Sequence, residues 1–235
     1  ITADKDLIPD DPHGYRIAFA YAFRARGIYP ESVLTISADT LGWESIPVPL
    51  STLDEVLSKL NLRWDLQTAR RTAWETSREN ARLVHQWLTD PSKVSVAELA
   101  MLGLERAPDS NYQMALSDGT TMTMALHGIE VHSVRPLRRV GPDGQLLSQL
   151  VVELTQSVYA KDGTGLKFRG GCTLIIDMNA RAVSYLVRKR MNQPARVARQ
   201  YAFWSAQDSG KVEFMDNYRI RQQSAEPFAL LHGAV

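Results

Sequence analysis

The rhythm of hydrophobic and polar positions changes once along this chain. Up to about residue 110 the apolar residues recur at helical spacing, and from Tyr112 to Arg190 they alternate. The alternation is plain in TTMTMALH, where Met122, Met124 and Leu126 oppose Thr121, Thr123 and Ala125. That is the pattern of a strand with one buried face. IEVHSVRPLRRV continues it until Pro136, which interrupts the pattern and implies an edge or a bulge. Residues 145–160, 166–178 and 182–190 give three further strands. The punctuation between strands is turn chemistry: SDG at 117–119, GPDG at 141–144, KDGTG at 161–165 and MNAR at 178–181. Loops this short force antiparallel neighbours, because parallel strands need a crossover.

The first half predicts helices. Residues 11–27 carry Pro12 near the start, Asp11 as N-cap and Gly27 at the end. Ile17, Ala20, Tyr21 and Arg24 form one stripe there, and Phe19 and Phe23 another, so this helix is expected to be buried on more than one side. VLTISAD (33–39) reads as a short strand, and Pro47 and Pro49 hold the next residues extended. Residues 51–60 form a helix with Ser51 as N-cap and Asp54 at the capping-box position. The longest helix runs from Asp65 to Leu88, along a face of Leu66, Ala69, Ala73, Ala81, Val84 and Leu88. Trp64, Trp74 and Trp87 add burial to it, and Pro91 stops it. Residues 94–104 make a last short helix, and APDSN (107–111) a turn-rich joint. After the strands, residues 193–207 are helical with Val197, Tyr201 and Trp204 toward the sheet, and 211–215 form one more short strand.

The expected fold class is therefore α+β: a helical N-terminal half packed against an antiparallel β-meander with a following helix. The composition shift near 105–112 divides the chain into 1–110, mainly helical, and 111–235, mainly sheet. No stretch between them has the composition of a linker.

Bulk composition narrows the function classes. With 44% hydrophobic and 23% charged residues in 235, the chain is ordinary for a globular protein. A formal net charge of +1 gives no global attraction to nucleic acid or to a membrane. One cysteine, Cys172, excludes an internal disulfide framework. Together with the lack of a visible targeting segment, this points to a cytoplasmic location. The chain starts at Ile1 and not at Met, which reads as part of a longer or processed polypeptide.

No motif names a reaction. In HGIEVH, Glu130 and His132 are two apart and share a strand face, a spacing open to acid–base work, to two metal ligands or to a wet sheet face. Glu153 facing Arg169 or Lys189 across the sheet would be a cross-strand stabiliser, and buried with an arginine it would be a candidate polar site. Glu130, His132, Glu153 and Arg169 are thus the catalytic candidates, for a hydrolytic or acid–base reaction. Cys172 shares its face with Phe168, Leu174 and Ile176 and reads as core. No H-E-x-x-H or second His/Cys cluster, no phosphate loop and no nucleophile elbow occurs, so no metal or cofactor is expected. The remaining signal is a basic excess without acids: Arg135, Arg138 and Arg139, then Arg181, Arg188, Lys189, Arg190, Arg196 and Arg199. Gathered on one surface they would bind an acidic ligand or partner. The leading expectation is a non-catalytic interaction or accessory module, binding a protein or an upstream part of its own chain.

Overall fold

A computed structural model describes residues 1–28, 30, 36–37, 40–46, 49–63, 69–106, 112–115, 119–141, 143–161, 167–191, 193–198, 200–201, 214–216 and 219–221. Helices α1 (Thr2–Leu7), α2 (Tyr15–Ala25), α3 (Leu53–Lys59), α4 (Arg70–Thr89) and α5 (Val96–Met101) precede the strands. The strands are β1 (Tyr112–Ala115), β2 (Thr121–Leu126), β3 (Glu130–Val140), β4 (Leu146–Ala160), β5 (Lys167–Asp177) and β6 (Ala182–Lys189). A separate two-stranded pair, β7 (Phe214–Asp216) and β8 (Arg219–Arg221), overlaps the last strand read from sequence. The expected strand at 33–39 lies almost wholly outside the described residues, as do the joint at 107–111, Trp64, Leu66 and Trp204.

The architecture is α+β, with N-terminal helices and a C-terminal antiparallel sheet curled into a half-barrel against α4. The strand order is β1-β2-β4-β5-β6, and β3 also pairs with β4. Strands β2 and β3 lie along the same edge of β4: β2 pairs with Val158 to Ala160, and β3 with Leu146 to Thr155. They behave as one long strand broken at 127–129, where His127 N still donates to Ser157 O at 2.8 Å. Pro136 does not stop β3, which runs on to Val140. It sits on an edge strand, where a missing N–H costs no ladder bond.

The alternation in β4 sets two faces. Leu150, Val152, Leu154, Gln156, Val158 and Ala160 point inward and are buried. Against them pack Phe168, Cys172, Leu174 and Ile176 of β5 and Leu186 of β6. Helices α3, α4 and α5 fill the curl with Leu53, Val56, Leu57, Val84, Trp87, Leu88 and Leu99. Each such side chain contributes about 1.5–3 kcal/mol on burial. A second cluster, Met122, Met124, Phe168, Met191 and Val197, closes the other end beneath the helical residues 194–198 and 200–201. Val197 is fully buried and Tyr201 packs on this cluster, as expected.

Three local expectations are corrected. Thr52, not Ser51, stands at the N-cap of α3; Ser51 gives both its N–H and its hydroxyl to Glu98 of α5 instead. The buried line of α4 is Asn80, Val84, Trp87 and Leu88, so Ala69, Ala73 and Trp74 are exposed. The helix leaves the core over its first turns. Most telling is α2, which buries only Arg16 and Ala20. Tyr15, Ile17, Phe19, Tyr21 and Phe23 are all exposed, between 43% and 69%. Arg16 explains the orientation. Its guanidinium reaches the Ile8 and Pro9 carbonyls at 2.6 and 2.7 Å and Asp4 at 2.9 Å, tying α2 to α1 by its polar residue. Asp11 does cap α2, but from ahead of the N-cap Gly14, accepting from the Tyr15 and Arg16 amides.

Two sites carry predictions. Glu98 closes a capping box with Ser95 and also holds Ser51, and these hydrogen bonds, led by the Ser95 hydroxyl, bring its carboxyl from 4.5 down to about 2. A lowered folded value means stability that is present above 4.5 and is lost as pH falls toward 2. Glu98→Gln is therefore expected to flatten the acid limb of the stability profile in that window, and Glu98→Ala to cost about 1–2 kcal/mol at neutral pH, both read by urea unfolding. The second site is Gly171, at φ 145°, where a Cβ would stand 2.1 Å from the Leu154 carbonyl oxygen. Gly171→Ala is expected to cost about 3 kcal/mol or more. Gly128→Ala meets nothing within 4 Å and serves as the control, at less than about 0.5 kcal/mol.

Candidate functional site

The outer face of the sheet carries the catalytic candidates. Glu153 pairs with Thr173 and Ser133, Thr155 with Gly171 and Glu130, and Ser157 with Arg169. Beside Gly171 on β6 stands Lys189. The far end of this face is covered. Tyr185 donates its hydroxyl to Asp6 of α1 and meets the Trp43 ring edge-on at 6.0 Å. Burial first, then the Asp6 carboxylate, pushes the Tyr185 phenol up to about 12. Where that cover ends, an open groove of roughly 500 Å³ begins, lined by His132, Thr155, Arg169, Gly171, Val187 and Lys189 among others.

Three of the four catalytic candidates converge at one rim of the groove. A register shift falls between Val131 and Ser133, so His132 is the bulged residue, yet it stays on the side of Glu130. His132 Nε2 lies 2.6 Å from Thr155 Oγ1 and 3.5 Å from Glu130 Oε2. Thr155 Oγ1 donates to Glu130 at 3.4 Å, and Arg169 Nη2 stands 3.8 Å from the same carboxylate. Glu153 does not join them through an arginine or Lys189. Its neighbour is the Ser133 hydroxyl, which donates to Glu153 Oε2 at 2.5 Å, because the register sets Thr173 where Arg169 or Lys189 had been expected. Thr155 was the residue missed. Its position two after Glu153 puts it on the same face, but only the pairing with Glu130 reveals the contact.

The geometry limits what this cluster does. Both Thr155 and Glu130 approach the same imidazole nitrogen, so the carboxylate does not hold the ring from its other side. A threonine–histidine–carboxylate relay needs the acid at Nδ1. Glu130, His132 and Arg169 are 41%, 42% and 52% exposed, and water around them weakens every charge interaction. Among the described residues no group of three or more His, Cys, Asp or Glu is placed to hold a metal ion. Cys172 faces the core, as read from the sequence, and burial pushes its thiol up to about 12.

Three arginines of the basic excess are paired within the fold. Arg139 turns to Asp6 at 3.6 Å. Arg181 binds Asp54 and the Ser58 hydroxyl of α3. Arg188 points inward, with Nη1 on the Met101 carbonyl at 2.7 Å and Nη2 on Glu44 at 2.6 Å. These three arginines fasten helices and the 43–46 segment to the sheet. Lys189 lies over the Phe168 ring at 4.7 Å, its ammonium destabilised by desolvation and then by Arg196. Arg135, Arg138 and Arg190 are exposed, Arg196 is half-buried, and Arg199 lies outside the described residues. No family model, curated protein or solved structure matches this chain.

Cys172 supplies the test of this division between inner and outer face. In the native protein the thiol is expected to resist iodoacetamide at pH 8 and to react at full stoichiometry only in denaturant, followed by mass spectrometry. Rapid native labelling would place it on the groove side.

Proposed function

We propose that this chain is a non-catalytic protein-interaction module whose working surface is helix α2. The observation that carries this reading is the helix itself. Eleven residues bury two, and one of those two is an arginine held by backbone carbonyls. Its five large apolar side chains, at about 150–250 Å² each and about half exposed, leave roughly 400–600 Å² of apolar surface facing water. That is the size of the largest apolar patch on an ordinary monomer, which is often a functional one, and it stands on a regular helix anchored by ion pairs. The segment from Ile1 to Leu41 adds an apolar hollow of roughly 370 Å³ beside it, walled by Ile1, Phe19, Phe23 and Ile28. Surface of this kind is stable in water mainly when something covers it.

A hydrolytic or acid–base enzyme built on Glu130, His132, Thr155 and Arg169 is the second reading. What favours it is their convergence at the rim of a groove. What weighs against it is the shared imidazole nitrogen and the exposure of the Glu130, His132 and Arg169 side chains. An acidic partner held by the basic excess is supported less, since Arg139, Arg181 and Arg188 are occupied within the fold.

The two readings separate by substitution. Ile17→Ser with Tyr21→Ser is expected to leave the thermal midpoint within about 2 °C, because neither side chain is in the core. The same pair should abolish binding of an apolar-surface dye and any capture by a partner. A drop of the size caused by truncating a core leucine would mean that α2 is covered within the fold, and the reading would fail. Turnover of generic ester or phosphoester substrates, lost in His132→Ala, would favour the enzyme.

A further inference from the structure

We infer that the partner of α2 is a second copy of this chain, docked antiparallel across a two-fold axis at the level of Ala20. This rests on the reading of α2 as an interaction surface. The side of the helix opposite Arg16 and Ala20 carries Ala18, Ala22 and Ala25, flanked by Tyr15 and Tyr21, and all five are exposed. Small residues four apart let another helix approach closely.

The arrangement of large and small residues is complementary to itself. About a two-fold at residue 20, position 18 meets position 22 of the other copy, and position 15 meets position 25. Ala18 therefore faces Ala22 across the axis, and the Tyr15 ring lies over the space that Ala25 leaves. Both matches occur twice by symmetry, as an isologous contact requires. A parallel pairing would set Tyr15 against Tyr15 and Ala25 against Ala25, crowded at one end and empty at the other.

Charge follows the same rule. From Gly14 to Ile28 the helix and its flanks hold Arg16, Arg24 and Arg26 and no acid, whereas Asp10 and Asp11 precede the helix. Asp10 and Arg26 are both exposed. Antiparallel docking brings Arg26 of one copy beside Gly14 of the other, near the exposed Asp10. It also opposes the two helix dipoles, which favours this direction. The area sets the strength. Of the five large apolar side chains only Tyr15 and Tyr21 stand on this face, and with the three alanines they bury less than about 1,000 Å² over both copies, below standard interfaces, so the pair is weak and concentration-dependent.

Sedimentation velocity of the whole chain across about 1–300 μM gives the direct test. The expected result is a reversible monomer–dimer equilibrium that Ala22→Glu weakens at least tenfold without changing the far-ultraviolet circular dichroism. A monomer throughout, or a dimer that Ala22→Glu leaves intact, overturns the inference. A photo-crosslinking residue at position 22, irradiated in host extract, then separates this failure from failure of the interaction reading. Adducts at twice the monomer mass support the symmetric pair. Adducts only of other masses, or capture by anionic phospholipid vesicles without dimer, overturn the pair and leave α2 as a docking surface. No adduct and no vesicle binding overturns both.

Discussion

Strand β4 is hydrogen-bonded along both edges over nearly its whole length, and the rest of the molecule is arranged around that constraint. On one side it carries β2 and β3 in succession, and on the other it carries β5 from Gln149 to Tyr159. A strand committed on both edges has only its two faces left. The inner one takes every helix contact of the core, and the outer one holds α1 at one end and the groove at the other. Gly171 of β5 allows this pairing to stay tight, since a side chain there would press on the Leu154 carbonyl at 2.1 Å, and Gly170 does the same toward the Lys189 carbonyl of β6 at 2.5 Å. Gln156 completes it from within. Fully buried, it receives the Glu105 amide and gives its own to the Glu105 and His127 carbonyls, so the exit of α5 and the break between β2 and β3 meet at one side chain. A buried amide with these partners satisfied is worth keeping; one left unpaired would cost several times a typical hydrogen bond.

Much of the sheet was legible because period two is a local signal that burial enforces. Residues 145–160, 166–178 and 182–190 read as strands and are β4, β5 and β6 to within a residue or two. The break at 127–129 was legible only as a glycine, since what makes β2 and β3 a single interrupted edge is their common partner, which is not local. Pro136 was legible in part, since the edge it implied is where it stands. A proline was read as an interruption, but on an edge the strand passes through it unharmed.

Helix α2 shows why patterning alone misplaces a surface. Apolar residues around most of a helix ordinarily mean burial on several sides. Here the packing was decided by Arg16, the residue the pattern treats as outward, because its guanidinium found the Ile8 and Pro9 carbonyls at the end of α1. The candidate catalytic residues were legible as a shared face, and Glu130, His132 and Arg169 do meet. The partner of Glu153 was not legible, because alternation gives the face of a residue but not its register. The arginines were legible as a charge excess, but not as ties, since Asp6, Asp54 and Glu44 that neutralise three of them lie far away in sequence.

The edge formed by β3 has a consequence for behaviour at high concentration. Pro136 removes one donor from the middle of that edge, and the exposed Arg135 and Arg138 flank it with positive charge. Such an edge is a poor template for a strand from another molecule. Growth by strand addition, the usual route from a crowded solution to fibrils, is thus discouraged on the same side of the sheet that α4 leans against. Along this edge, crowding accordingly favours contacts through helical surface, which saturate once two faces have met, over an open-ended ladder.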